Sequence, residues 1–262
     1  MRALSTAATG MAAQQLNVEV ISNNIANMNT VGYKRQRAEF QDLIYQDMEK
    51  AGAQSSDAGT IVPTGIQIGS GVKTGSVYRI TSQGSLTQTS NQLDLAIQGR
   101  GYLQVQMPSG ETAYTRAGNL SVNNSGQIVT DQGYPIIPQI SIPPAATAIT
   151  ISTAGQVQVT LPGNPTPATA GQMQLATFVN EPGLEAIGDN LFQVSGASGS
   201  AVVGNPGSPG FGTVMQGYTE GSNVDAVTEI TSLISAQRAY EMNSKVITTS
   251  DQMLSTTNQM KS

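Results

Sequence analysis

The sequence has no cysteine, no histidine and no tryptophan. Without cysteine there is no disulfide framework and no thiolate metal site. Without histidine the commonest general base is missing too, and the Ser-His and Cys-His nucleophile pairs are both excluded. Carboxylates or a Ser-Lys pair are all that is left for catalysis. The expectation is therefore a protein that is not an enzyme and has no catalytic, cofactor-binding or metal residues. Charge is sparse: 12 Lys and Arg stand against 17 Asp and Glu, a net of −5. Nothing in that balance neutralises a run of phosphates, so nucleic acid is not an expected partner. No apolar run approaches the roughly 20 residues that a bilayer span requires. The opening Met1-Arg2-Ala3-Leu4-Ser5-Thr6 has no unbroken apolar stretch after its cation, so no cleaved secretory signal is expected.

Proline is missing from both ends, since all 12 prolines lie between Pro63 and Pro209. The Pro-free ends carry heptads. Leu4, Met11, Val18 and Ile25 recur every seven positions in the first segment, and Leu233, Tyr240, Ile247 and Leu254 do so in the last. That spacing gives a helix whose apolar seam faces another helix. The fold class expected is α+β, with N- and C-terminal helices paired as a coiled coil and a mainly antiparallel β region projecting from it. The first helix should end near Asn29-Thr30-Val31-Gly32, and the last should begin at Ser222 or Asn223 as N-cap. Ser22-Asn23-Asn24-Ile25-Ala26-Asn27 is unusual inside a helix, because its amides compete for backbone hydrogen bonds. It reads either as a solvated polar face or as a set of amides that tie the helix to neighbouring subunits. The seams are thin in large apolar groups and offset the entropy of ordering poorly. The ends are therefore expected to be largely unfolded in a free subunit and to order when neighbours bury them.

Between the ends, Gly and strand patterns dominate. Lys34, Arg35 and Arg37 are followed at once by Glu39 and Asp42, which reads as a solvated, self-compensated face. Residues 51–75 read as a linker or extended hairpin. Leu93-Asp94-Leu95-Ala96-Ile97, Leu103-Gln104-Val105-Gln106-Met107 and Val157-Gln158-Val159-Thr160-Leu161 alternate, with one face expected in the core and the other wet. Pro108-Ser109-Gly110 and Asn123-Asn124-Ser125-Gly126 read as hairpin turns, and Gly99-Arg100-Gly101 as a tight hairpin bend. Ser70-Gly71-Val72-Lys73-Thr74-Gly75 holds both Ser-x-x-Lys and Lys-Thr-Gly. The two fragments share Lys73, whereas penicillin-recognising enzymes place the two lysines on different elements, so the match is accidental.

A longer set of motifs is specific. It comprises Thr9-Gly10-Met11-x-Ala13-Gln14-Gln15, Val20-Ile21-Ser22-Asn23-Asn24-Ile25-Ala26-Asn27, Gly32-Tyr33-Lys34, and Asn91-x-Leu93-Asp94-Leu95-Ala96-Ile97-x-Gly99-x-Gly101-Tyr102. Tyr114-Thr115-Arg116-x-Gly118, Gly183-Leu184-Glu185-x-Ile187-Gly188-x-Asn190-Leu191-Phe192, Ser222-Asn223-Val224 and Gln237-Arg238-Ala239-Tyr240-Glu241-x-Asn243-Ser244-Lys245 continue it. Together they span almost the whole chain and resemble the axial proteins of the bacterial flagellar basal body and hook, most closely the distal rod branch. The opening octapeptide departs from the pattern in lacking the aromatic residue often found there.

The resemblance implies a structural subunit that polymerises into a rigid helical tube, a drive shaft from motor to hook enclosing the export channel. It implies self-association, other rod proteins and the hook protein along the axis, and the peptidoglycan-ring and outer-membrane-ring bushing proteins around it. It also implies export by the flagellar type III apparatus and a place in the distal rod, from periplasm to outer membrane, with no cleaved signal. The implied domains are 1–32 with 223–262 (inner tube), 33–75 (connecting, stiffening) and 76–222 (outer β layer). The implied subunit interface is Leu4, Met11, Val18, Asn23, Asn24, Ile25, Asn27, Leu233, Arg238, Tyr240, Asn243, Ile247 and Leu254. The implied stiffening segment runs through Gln46, Gly52, Gln54, Ser55 and Gly71. Other readings are a hook or other rod-type subunit, or a peptidoglycan- or carbohydrate-binding β domain with oligomerising helices.

Overall fold

A computed structural model describes residues 2–49 and 64–260. The chain is α+β: two terminal helices, and between them a mainly antiparallel β region. It divides into two compact units, Met1–Ile25 with Gln36–Tyr78 and Ala226–Ser262, and Ala26–Arg35 with Arg79–Asp225.

The first unit holds α1 (Arg2–Ala26) and α2 (Ala226–Gln259). They run antiparallel: Gly10 lies against Asn243, and Asn24 hydrogen-bonds Glu229, at equal spacing on both helices. A side chain at Gly10 would collide with the Asn243 amide, so glycine inside this helix permits a close approach at the cost of some helix propensity. Regular helix stops at Ala26, short of the expected 29–32. Turns bonded Thr30 N–H to Asn27 C=O and Tyr33 N–H to Thr30 C=O follow, and Gly32 then takes the left-handed conformation (φ 71°). Beside the helices lies a two-stranded ribbon. Gln36–Asp42 pairs with Val72–Arg79, Leu43 and Ile44 exchange bonds with Gly71 and Ser70, and Tyr45–Glu49 pairs antiparallel with Ile66–Gly69. Of the linker or extended hairpin expected over 51–75, residues 51–63 lie outside the described residues, and Ile66–Gly69 and Val72–Arg79 are strands. Gly71 (φ 126°) brings the ribbon onto α1, where the Val72 N–H donates to the Thr9 hydroxyl and a Cβ at 71 would strike that oxygen.

The second unit is built on a seven-stranded sheet. Its order is Glu185–Gly188, Leu191–Gln193, Thr112–Thr115, Tyr102–Gln106, Leu175–Thr177, Val202–Gly204, with Ile136–Ile137 also pairing the Tyr102–Gln106 strand. Both expected turns join antiparallel strands: Gly110 N–H bonds Met107 C=O, and Gly126 N–H bonds Asn123 C=O. Gly99-Arg100-Gly101 is a different case. Leu95–Gln98 pairs with Thr213–Gln216 and not with Tyr102–Gln106, so this segment carries the chain from one sheet to another. Gly99 and Gly101 take positive φ there, conformations that a Cβ would oppose.

One expected wet face is absent. Leu103, Val105, Ala113, Leu175 and Leu191 cover one side of the main sheet within the principal core. Tyr102, Tyr114, Ala176, Phe178, Leu184 and Phe192 form a second cluster on the other side. Leu95, Ala96 and Ile97 are likewise all buried. Alternation in these strands sorts residues between two cores; it separates core from solvent only in Gln156–Leu161, where Val157 and Val159 are buried and the glutamines half-buried. The second cluster stacks its rings edge to face, with centroids 4.8 Å apart for Tyr114–Phe178 and 5.8–5.9 Å for Tyr102 with Phe178 and Phe192.

Candidate assembly surfaces

The helix pair meets along a seam of small and polar residues. Gly10, Asn24, Glu229 and Asn243 form its contacts, and Ala236 and Glu229 are the buried residues of α2. Asn24 is fully engaged within its own chain. Its Nδ2 donates to the Gln36 carbonyl (2.8 Å) and to Glu229 Oε2 (3.1 Å), and its Oδ1 accepts the Gln36 N–H (2.9 Å). One amide therefore ties α1 to the ribbon and to α2. Asn23 is exposed, and Asn27 joins Thr30 in the turn below the helix.

The large apolar heptads lie beside this seam. Leu4, Met11, Val18, Ile25, Leu233 and Ile247 are half-buried, Tyr240 and Leu254 exposed. Val18 and Tyr240 come together in a groove with Gln15, Glu19, Gln237 and Glu241, about 520 Å³ in volume. A second groove, about 550 Å³, is lined by Gln14, Asn17, Thr231, Ser235, Ala236 and Ala239 among others, none of them charged. Arg238 is exposed on α2. Gln46 is exposed on the ribbon and Gly71 sits at its contact with α1. Gly52, Gln54 and Ser55 lie outside the described residues.

Sequence reasoning missed the strongest electrostatic feature of the second unit. Lys34, placed above in a solvated face, is 2% exposed and forms an ion pair of 2.5 Å with Glu220 Oε1. Arg116 Nε reaches Glu220 Oε2 at 2.9 Å, and the Gly84 N–H donates to Oε1. Lys34 also donates to the Ser82 carbonyl, and the Arg116 guanidinium to the carbonyls of Ile97, Gly99 and Gly101. Burial alone pushes the Glu220 carboxyl up, but Arg116, Lys34 and the donated hydrogen bonds hold it below its ordinary value. Burial first, then the charge of Arg116, lowers the Lys34 ammonium against the raising effect of Glu220. Burial, with the Glu181 charge adding to it, pushes the Tyr102 phenol up to about 12, so the ring under Arg116 stays neutral. The solvated reading holds for Arg37 and Glu39, an exposed pair 3.5 Å apart.

Asn223, expected as an N-cap, has a different task. Its Oδ1 accepts the Arg35 N–H and its Nδ2 donates to the carbonyls of Ile80 and Ser82. It crosslinks three stretches of chain, and helix α2 starts later, at Ala226. The missed signal was the compositional one. In a chain this poor in charge, a lysine, an arginine and a glutamate inside Gly-rich motifs mark a buried cluster better than a surface.

Three family profiles match: the flagellar hook protein FlgE/F/G D1 domain over residues 96–159, the flagellar basal body rod FlgEFG protein C-terminal over 215–260, and the flagella basal body rod protein over 4–34. A Caulobacter vibrioides protein named flagellar basal-body rod protein FlgG is 69% identical over 262 residues, covering 100% of both chains. Agrobacterium fabrum has a protein of the same name, 55% identical over 256 residues and 97% of each chain. In Bacillus subtilis a third so named is 40% identical over 259 residues, again 97% of each. The chain belongs to the flagellar basal-body rod protein FlgG family. Each of the three matched spans supplies one member of the buried cluster: Lys34, Arg116 and Glu220. In this FlgG-family chain, segments far apart in sequence thus converge on one carboxylate, and the carbonyls of Ile97, Gly99 and Gly101 accept from the Arg116 guanidinium beside it.

Proposed function

We propose that the chain is the structural subunit of the flagellar distal rod, a helical tube that transmits torque from motor to hook and encloses the export channel. The observation that carries this reading is an end-to-end similarity to basal-body rod proteins, in a molecule whose helix pair leaves its apolar heptads half-buried, with Tyr240 and Leu254 exposed. The terminal helices form the inner tube, packed as coiled coils within and between subunits through Leu4, Met11, Val18, Ile25, Leu233, Tyr240, Ile247 and Leu254, with Asn23, Asn24, Asn27, Arg238 and Asn243 as polar contacts. Residues 33–75 form the connecting part that stiffens the shaft, and residues 76–222 the outer layer facing the peptidoglycan- and outer-membrane-ring bushings. Other rod proteins and the hook protein are its axial neighbours. The type III apparatus exports it to the periplasm without signal cleavage. The role is mechanical, not enzymatic.

Electron microscopy of basal bodies purified from a strain lacking the chain tests this. The shaft should end before the outer rings and carry no hook. Full-length shafts with hooks in that strain would refute the assignment.

A further inference from the structure

The chain passes between its two units four times, at Ile25–Ala26, Arg35–Gln36, Tyr78–Arg79 and Asp225–Ala226. Within the β unit these passages belong to three segments: residues 26–35, the stretch that opens at Arg79, and the stretch that closes at Asp225. The three are laced to one another. The Gly32 N–H donates to the Glu220 carbonyl (2.7 Å), the Ile80 N–H to the Arg35 carbonyl (2.8 Å) and the Gly221 N–H to the Ser85 carbonyl (2.8 Å). Lys34 ties the Glu220 carboxylate to the Ser82 carbonyl, and the Gly84 N–H reaches the same carboxylate. Asn223 bridges Arg35, Ile80 and Ser82. Each of these bonds joins two different segments. A Cβ at Gly84 would strike the Gly221 carbonyl, so the close approach of the second segment to the third depends on that glycine.

The lacing is also anchored to the sheets. Arg116 holds Glu220 and bonds the carbonyls of Ile97, Gly99 and Gly101, where the chain crosses from one sheet to another. Gln83 bonds the Ile97 carbonyl (3.1 Å) and the Gly99 N–H (3.0 Å) at the same crossover. Asn190, in the turn between Glu185–Gly188 and Leu191–Gln193, donates to the Val31 carbonyl (3.0 Å). Lys34, Arg116 and Glu220 are all buried. Buried polar networks whose members are paired hold one arrangement, and close-packed interiors transmit strain. Force carried along the backbone from the helical unit enters the β unit only through the three segments. Resting on the rod-subunit reading above, we propose that the lacing by Lys34, Glu220 and Asn223 is a mechanical clamp. It makes the three segments share the force that arrives along the chain, and passes it through Arg116, Gln83 and Asn190 into the sheets. A segment without such ties would open locally by itself. None of the clamp residues belongs to the helix flanks through which the subunits are proposed to pack, so a shaft with a loosened clamp assembles and then yields under torque.

Two variants loosen the clamp in different places. Asn223→Ala removes the bridge among Arg35, Ile80 and Ser82. Lys34→Met removes the tie between Glu220 and Ser82 while Arg116 still pairs with the carboxylate. In cells that carry either variant as their only copy, electron microscopy should count shafts with hooks in wild-type number, and swimming in thin medium should be normal. As the medium is thickened, rotation should fail at a lower viscosity than in the unmodified strain. Arg37→Met, which removes an exposed pair, should leave that limit where it is. A loss of stability alone lowers the number of shafts at every load, so a shifted limit at equal shaft number separates a mechanical role from a merely structural one. An unchanged limit in both variants would overturn the inference. So would the absence of shafts from both strains, which would make the lacing a condition of folding. Either result leaves the rod reading standing. Swimming by a strain that lacks the chain altogether would overturn that reading and the inference with it.

Discussion

The two units solve opposite problems with the same scarce materials. The β unit turns its charge and its rings inward. Lys34, Arg116 and Glu220 are buried together, and four of the chain's aromatic residues, Tyr102, Tyr114, Phe178 and Phe192, share one cluster. The helical unit does the reverse, spending Gly10, Asn24, Ala236 and Asn243 on its internal seam while Val227, Ile230, Ile234, Met242 and Met253 stand exposed on α2. The β unit packs two apolar cores, whereas the helical unit buries few large apolar side chains, Val20 and Ile21 among them, and leaves several exposed.

The comparison breaks most visibly if both units are damaged by a change in one. Leu233→Asp combined with Ile247→Asp places two charges on the flank of α2 that the proposed inter-subunit packing buries. Assembly should stop altogether, with no shafts by electron microscopy, while the near-UV circular dichroism of Tyr102 and Tyr114 keeps its wild-type unfolding midpoint. A lowered midpoint would mean that the β unit depends on the ends.

The reverse perturbation is Glu220→Ala. It leaves Lys34 and Arg116 buried against each other with no counter-charge, and breaking a buried pair in this way costs about 3–5 kcal/mol. Urea unfolding followed by near-UV circular dichroism should show that loss in full. A loss under about 1 kcal/mol, the range of an exposed pair, would show that the cluster is solvated.

Acid probes the same carboxylate without removing its atoms. The folded pKa of Glu220 lies below its ordinary 4.5, so its contribution is complete above that value and is lost as pH falls through the lower folded value. The depressed Lys34 has the same sign, disfavouring the protonated native state until pH approaches its ordinary 10.5. The stability gap between wild type and Glu220→Gln should therefore shrink as pH drops below about 4.5. A gap that stays constant to pH 2 would remove Glu220 as the titrating group.

The sequence exposed the architecture more readily than the contacts. Proline-free heptad ends and turn-punctuated strands were legible because helix and strand periods are local properties of the chain. The seam itself was not, because a heptad of Leu, Met, Val and Ile outweighs one of Gly, Asn and Ala on any apolar scale. Yet close approach of two helices favours the small residues, as Gly10 against Asn243 illustrates. Lys34 was misplaced for a related reason: its neighbours in sequence, Arg35, Arg37 and Glu39, suggested a surface, while its true partner Glu220 comes from the far end of the chain. Asn223 sits where a cap is expected, but its amide goes to chain segments that sequence alone does not bring near. Motif resemblance marked most of these positions as special without saying what each does.

The smallest predicted effect separates the two units most finely. Asn24→Ala removes one buried amide and leaves the Gln36 N–H and carbonyl and the Glu229 carboxylate each short of one partner. Such a loss costs about 1–3 kcal/mol, and all of it falls on the helical unit. If the ends order only when neighbours cover them, a dilute free subunit has little of this structure to lose. Its near-UV unfolding should be unchanged, and its far-UV helix signal should already be low in the unmodified chain. The cost should surface in the polymer, where Asn24→Ala shafts dissociate at a lower denaturant concentration than wild type. Full helicity of both ends in the dilute unmodified chain, lost in the variant, would give the helical unit a stability of its own and leave only the exposed flanks to drive assembly.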